Sequence, residues 1–143
     1  MIRPVRVGLL LLGLLHVGLG VPAVLAPRRY FDTFPGLGHA WTAAYPPFNR
    51  HLMVDVGAAF LALGVMLLAA AWLRDRRVAG VVLVGDLVFN TVHLGFHLGD
   101  HGRLTGVDLA ASLGSLAVGV LAPAALLAAL AARGTPAGPG PRR

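Results

Sequence analysis

Hydrophobic positions along this chain gather into four long stretches, at about residues 5–26, 51–73, 78–98 and 107–132, separated by shorter polar breaks. Each is long enough for the roughly 20 helical residues that a bilayer crossing needs. The pattern predicts an all-α fold, an antiparallel bundle of four transmembrane helices forming a single domain over residues 1–133. A Gly- and Pro-rich tail, 134–143, reads as disordered. The first stretch starts basic, with Arg3 and Arg6, and ends on the small Ala26, as a signal peptide does. Its apolar part is too long for one, and Pro27 would follow the cut, so it reads as a retained helix. Asn49 is placed to cap the second span, and Thr105 with Asp108 has the form of a capping box for the fourth.

Composition strengthens this reading. Hydrophobic residues make up 57% of the chain and charged ones 13%, against ~25% charged in an ordinary soluble domain. There is no cysteine, which excludes disulfide scaffolds, thiol catalysis and thiolate metal sites. All basic side chains are Arg and all acidic ones Asp, with a net charge of +6 and a pI near 11.5. The arginines flank apolar runs instead of forming a basic patch, so the expected partner is the lipid bilayer and not nucleic acid. Eight of them (Arg3, Arg6, Arg74, Arg76, Arg77, Arg133, Arg142, Arg143) fall on one side of the predicted bundle and four (Arg28, Arg29, Arg50, Arg103) on the other. The excess predicts cytoplasmic termini, a cytoplasmic tail and an outer loop over 27–50.

That loop holds Tyr30, Phe31, Phe34, Trp41, Tyr45 and Phe48, six of the ten aromatic residues. They suit an interfacial belt, or a lid over a site that opens outward. A short surface helix is expected over 37–45, ended by Pro46-Pro47.

Ionisable side chains inside a membrane are costly, on the order of 2.5–3.5 kcal/mol for Asp at a helix centre, so their placement carries the functional evidence. In the third span Asp86, Asn90, His93 and His97, followed by Asp100 and His101, lie within an arc of about 100°. In the second, His51 and Asp55 share a face with Ala58, Ala62 and Ala69. The fourth aligns Asp108, Ser112, Ser115 and Gly119, and the first Gly13, His16 and Gly20. Four such stripes are expected to pack inward, the small residues admitting a close neighbour. An antiparallel second and third span set His51, Asp55, His93 and His97 at one depth, with His16 and Asp86 deeper and within pairing distance. Three imidazoles and one carboxylate suit a divalent zinc, copper or iron ion. Asn90, Asp100, His101 and Ser112 would stand behind the ligands, and His16 with Asp86 would join them as support or relay. Haem is disfavoured, because there is no attachment motif and no second matched histidine pair.

The stretches Pro27-Arg28-Arg29-Tyr30-Phe31-Asp32-Thr33-Phe34-Pro35-Gly36, Asn49-Arg50-His51-Leu52-Met53-Val54-Asp55-Val56-Gly57-Ala58 and His93-Leu94-Gly95-Phe96-His97-Leu98 resemble a group of small bacterial four-helix membrane proteins of DoxX-like layout. The resemblance implies the fold and a bacterial cytoplasmic (inner) membrane, and supplies no reaction. Three functions compete: a metal-binding membrane protein, as a small metalloenzyme or redox-linked factor; a non-catalytic accessory subunit of a larger membrane complex; and a proton-coupled carrier acting as a homo-oligomer.

Overall fold

Each apolar stretch folds as one helix, since a backbone surrounded by lipid must satisfy its polar groups internally. The computed structural model describes residues 2–132, and the tail expected at 134–143 lies outside them. The long helices are α1 (Arg3–Leu25), α3 (Arg50–Leu73), α4 (Arg76–Gly99) and α5 (Gly106–Ala131), with a short α2 (Pro27–Thr33) after the first. All four long helices are long and apolar enough to cross a membrane. The protein is thus an all-α helical bundle of membrane type. We call the end that carries α2 the loop end and the opposite one the terminal end.

The tightest packing joins α1 to α3, and glycine is its cause. A Cβ added at Gly20 would lie 2.7 Å from the Gly57 carbonyl oxygen, and one at Gly64 would lie 2.9 Å from the Val17 nitrogen. Only hydrogen fits there, so the two backbones touch along an antiparallel seam of Gly13, Gly20, Gly57 and Gly64. The inward face of α3 is therefore not the one expected from its alanines. Ala58, Ala62 and Ala69 are exposed, whereas Leu61 lies against Gly20. Alanine still carries a methyl group, and at backbone contact distance glycine wins. The other close pair is α4 with α5, where Gly119 makes room for the Asn90 side chain.

The terminal half of the bundle is packed mainly with hydrocarbon, apart from the partly buried Arg6. Val5, Leu9, Leu67 and Leu83 are fully buried there beside Leu12, Ala70 and Leu130. Arg76 closes this end by donating from its guanidinium to the Leu130 carbonyl, an acceptor left over in the last turn of α5. Asn49 caps α3 as expected, its side-chain oxygen accepting from Leu52 N at 3.1 Å. Asp75 caps α4 by accepting from the Arg77 and Val78 amides, and those two hydrogen bonds hold its carboxyl below the usual range.

Residues 27–49 depart from expectation. The helix lies at 27–33, and 37–45 contains no α-helix. Gly36, Leu37 and Gly38 all have positive φ, at 100°, 56° and 88°. They turn the chain back so that Pro35–Gly36 (β1) pairs antiparallel with His39–Ala40 (β2). A single 3₁₀ turn, Thr42–Ala44, follows. The Thr105–Asp108 capping box does not form either. Thr105 occupies the N-cap position without a side-chain hydrogen bond, and the Asp108 carboxylate that would complete the box is engaged elsewhere.

The seam yields a direct test. Gly20→Leu should lower stability in detergent by about 1–3 kcal/mol, the usual cost of overpacking. Gly85→Ala, with open space around its Cβ position, should leave the thermal unfolding midpoint unchanged or raise it. Equal midpoints for the two variants would remove the seam as the main packing device.

Candidate functional site

His16 and Asp86 meet in the middle of the bundle, on α1 and α4. The His16 side chain is 4% exposed and that of Asp86 0%. His16 Nδ1 lies 2.8 Å from the Leu12 carbonyl oxygen, which can only accept, so this nitrogen carries the hydrogen. His16 Nε2 then faces Asp86 Oδ1 at 3.0 Å, approached obliquely and outside hydrogen-bond alignment. A neutral imidazole of this tautomer would set a lone pair against an ionised carboxylate. The contact is repulsive unless one proton resides on the pair, as imidazolium beside carboxylate or as imidazole beside carboxylic acid. With that proton the pair is neutral overall. Without it a net negative charge stands in a medium that solvates charge poorly.

Asn90 supports Asp86 from the next turn, its amide donating to the Asp86 carbonyl at 2.8 Å and to Oδ1 at 3.1 Å. Asp86 Oδ2 is buried without a partner. Towards the loop end the α4 stripe continues as His93 and His97, whose rings lie 4.9 Å apart. His93 Nδ1 is also buried and unpartnered. Phe60 of α3 stands between the two groups, 5.6 Å from the His16 ring and 6.3 Å from the His93 ring. Phe89 packs against it edge-on at 5.3 Å.

The stripe ends at Tyr45. Its hydroxyl lies 2.7 Å from His97 Nδ1 and 3.2 Å from the Asp100 carbonyl. Partial burial and the Asp100 carboxylate push this phenol above its ordinary value, so it is a neutral hydroxyl at physiological pH. His101 donates from Nδ1 to the His97 carbonyl at 2.7 Å, and Asp100 accepts from the Gly102 amide. Both hold the turn after α4.

The four residues expected to share an ion do not come together. His51 and Asp55 pair with each other at 3.2 Å on the outside of α3, with side chains 89% and 58% exposed. His93 and His97 face Phe60, Phe89 and Tyr45 instead. Among the described residues, no group of three or more His, Asp or Glu side chains is placed to hold one metal ion. The cause is rotational. The Gly57–Gly64 seam turns α3 so that position 60 points inward and positions 51, 55, 58 and 62 point out. Asn90 and His16 serve Asp86, Asp100 and His101 serve the turn, and Ser112 is buried in α5 with its carbonyl accepting from Ser115.

One polar node went unread in the sequence. Asp108 Oδ1 accepts from Trp41 Nε1 at 2.9 Å and lies 2.6 Å from His39 Nδ1. This node pins the hairpin to the first turn of α5. Beside it, the Arg103 amide donates to the Ala44 carbonyl at 3.0 Å. The partners are almost 70 positions apart in sequence, and no spacing rule connects them. The richness of the loop in aromatics was the available signal. The segment 39–45 thus closes over the ends of α4 and α5.

Comparison with protein-family models, with curated proteins and with solved structures finds no match.

Asp108→Leu should free the closure without unfolding the helices. Amide hydrogen exchange at residues 39–45 should accelerate by at least an order of magnitude while that of α1 and α3 stays unchanged. Unchanged exchange at 39–45 would remove Asp108 as the pin.

Proposed function

We propose that this chain is a proton-coupled membrane carrier in which His16 and Asp86 hold the transferred proton. One observation carries the reading: the buried His16 Nε2 lies 3.0 Å from Asp86 Oδ1 while its Nδ1 faces the Leu12 carbonyl, an arrangement that favours one proton on the pair. Intramembrane Asp and His groups are characteristic of proton relays, because a buried pair that is neutral with one proton strongly resists losing it uncompensated. Release requires access to water. His93, His97 and Tyr45 lead from the pair to the loop end. On the other side the hydrocarbon around Leu9, Leu67 and Leu83 blocks the way to the terminal end. This asymmetry is that of a site addressed from one face at a time. Phe60 and Phe89 interrupt the polar line, and movement of Phe60 would join His16 to His93. Four helices enclose little space, so the carrier would work as a homo-oligomer.

Proteoliposomes with an entrapped pH indicator and an imposed potassium diffusion potential provide the test. Wild-type protein should take up protons faster than protein-free vesicles. Asp86→Asn should abolish the excess, Phe60→Leu should increase it several-fold, and His51→Ala on the exposed face of α3 should not change it. Wild-type flux equal to that of empty vesicles, or an Asp86→Asn variant as active as wild type, would defeat the proposal.

The orientation belongs to the same proposal. The eight-to-four arginine split supports termini and residues 74–75 in the cytoplasm of a bacterial inner membrane, with 27–49 outside. In intact cells a membrane-impermeant thiol reagent should label Thr33→Cys and spare Arg77→Cys. The reverse pattern would invert the topology.

A further inference from the structure

A cavity of about 330 Å³ opens at the loop end between α1 and the segment that follows it, away from the histidine line. Its floor is the face of α1 at Gly18, Pro22 and Ala26, and its rim is Arg29, Tyr30 and Thr33 from α2. Eight residues separate Gly18 from Ala26, so the floor runs roughly 12 Å along the helix axis at ~1.5 Å per residue. The α1 side of the groove is thus apolar and open, and its α2 side is polar. A Cβ at Gly18 would meet nothing within 4 Å, so this glycine serves no helix contact, and its missing side chain deepens the groove.

The rim carries an unmatched positive charge. Arg28 is occupied, with Nε 2.7 Å from Asp32 and its guanidinium 5.1 Å from the Phe48 ring centre. Among the described residues the Arg29 side chain has neither an acidic partner nor a hydrogen bond, and the Tyr30 hydroxyl has no hydrogen bond. Thr33 donates to the Arg29 carbonyl and keeps its own acceptor free. Two donors therefore stand unpaired above an apolar trough, at the level where a membrane-spanning helix leaves the hydrocarbon.

We propose that this groove binds one anionic phospholipid, with an acyl chain along Gly18, Pro22 and Ala26 and the phosphate on Arg29 and Tyr30. Charge complementarity selects the headgroup: the phosphate of an anionic lipid has no cation of its own, whereas a zwitterionic headgroup brings one that competes with Arg29. The acyl trough selects a lipid over a free anion, since the floor offers no polar side chain. The binding would tie α2, and with it the hairpin at 35–40, to the membrane surface. The inference is independent of the proton reading, because none of its residues belongs to the histidine line.

Native mass spectrometry of the detergent-solubilised full-length protein, titrated with dioleoyl phosphatidylglycerol, dioleoyl phosphatidylcholine or inorganic phosphate, tests it. One phosphatidylglycerol should be retained per chain in preference to phosphatidylcholine, and millimolar phosphate should not displace it. Arg29→Gln should weaken retention roughly fivefold, the effect of losing one interfacial arginine. Gly18→Leu, whose side chain projects into open space and should leave the melting temperature intact, should abolish retention by filling the trough. Arg28→Gln should leave it within twofold of wild type. Equal retention of the two lipids, undiminished retention in Gly18→Leu, or displacement by inorganic phosphate would each overturn the proposal.

Discussion

A carboxyl group in the centre of a helix bundle built for lipid is the constraint on which the rest of this structure depends. Asp86 has no exposure and can remain there only if its charge is shared or neutralised. Its neighbours answer that need from two directions. Asn90 donates along α4, and His16 reaches in from α1. For His16 to arrive, α1 must lie at a fixed depth and rotation. Those are set by its glycine seam with α3, in which Gly13 and Gly20 flank His16 on the same helical face. The closest helix packing in the protein and its most deeply buried polar contact are therefore one arrangement. A side chain that pushed α1 and α3 apart would withdraw the imidazole and leave the carboxyl group alone.

The same constraint divides the bundle into unlike halves. Below Asp86 the interior is mainly hydrocarbon, with the Arg6 guanidinium partly buried near the end and Arg76 on the last turn of α5. Above it the interior is aromatic and imidazole, and it ends at a closure formed by residues 39–45. Tyr45 and the Asp108 node use side chains of the loop to satisfy polar groups at the ends of α4 and α5 that lipid would leave bare. The loop thus completes the bundle, and its aromatics face protein as well as the membrane surface.

What was legible in the sequence follows from periodicity. Four spans, their boundaries to within about two residues, the Asn49 cap and the Asp86–His97 stripe all come from spacing within one helix. Pairings between helices were legible only where chemistry left one choice, as for His16 and Asp86. The rotation of α3 was not, because His51 and Asp55 pointed to the alanine face, the rest of the helix is apolar on every side, and alanine and glycine both read as small. The difference between a methyl group and a hydrogen, where an added Cβ would come within about 3 Å of the neighbouring backbone, decided which face turned inward and with it the fate of His51 and Asp55. The hairpin was hidden by a leucine at positive φ, a conformation that ordinarily requires glycine or asparagine.

A proton site and a purely structural lock make different demands on the same atoms. A lock is best when every buried donor and acceptor is matched, since each orphan costs about 1–3 kcal/mol. Among the described residues four buried side-chain atoms are unmatched, Arg6 Nε near the terminal end, His16 Nε2, Asp86 Oδ2 and His93 Nδ1, and the last two lie on the α4 stripe, on either side of Phe60. An asparagine at position 86 could contact His16 without needing a shared proton, and it would hold the helices as well. An ionisable group stands where a neutral one would serve packing better, next to imidazole nitrogens that also lack partners. On the proposed reading, water or a relayed proton would reach these atoms if Phe60 moved aside. The unmatched atoms cost stability, and two of them, Asp86 Oδ2 and His93 Nδ1, lie on the α4 line along which the proposed exchange would run.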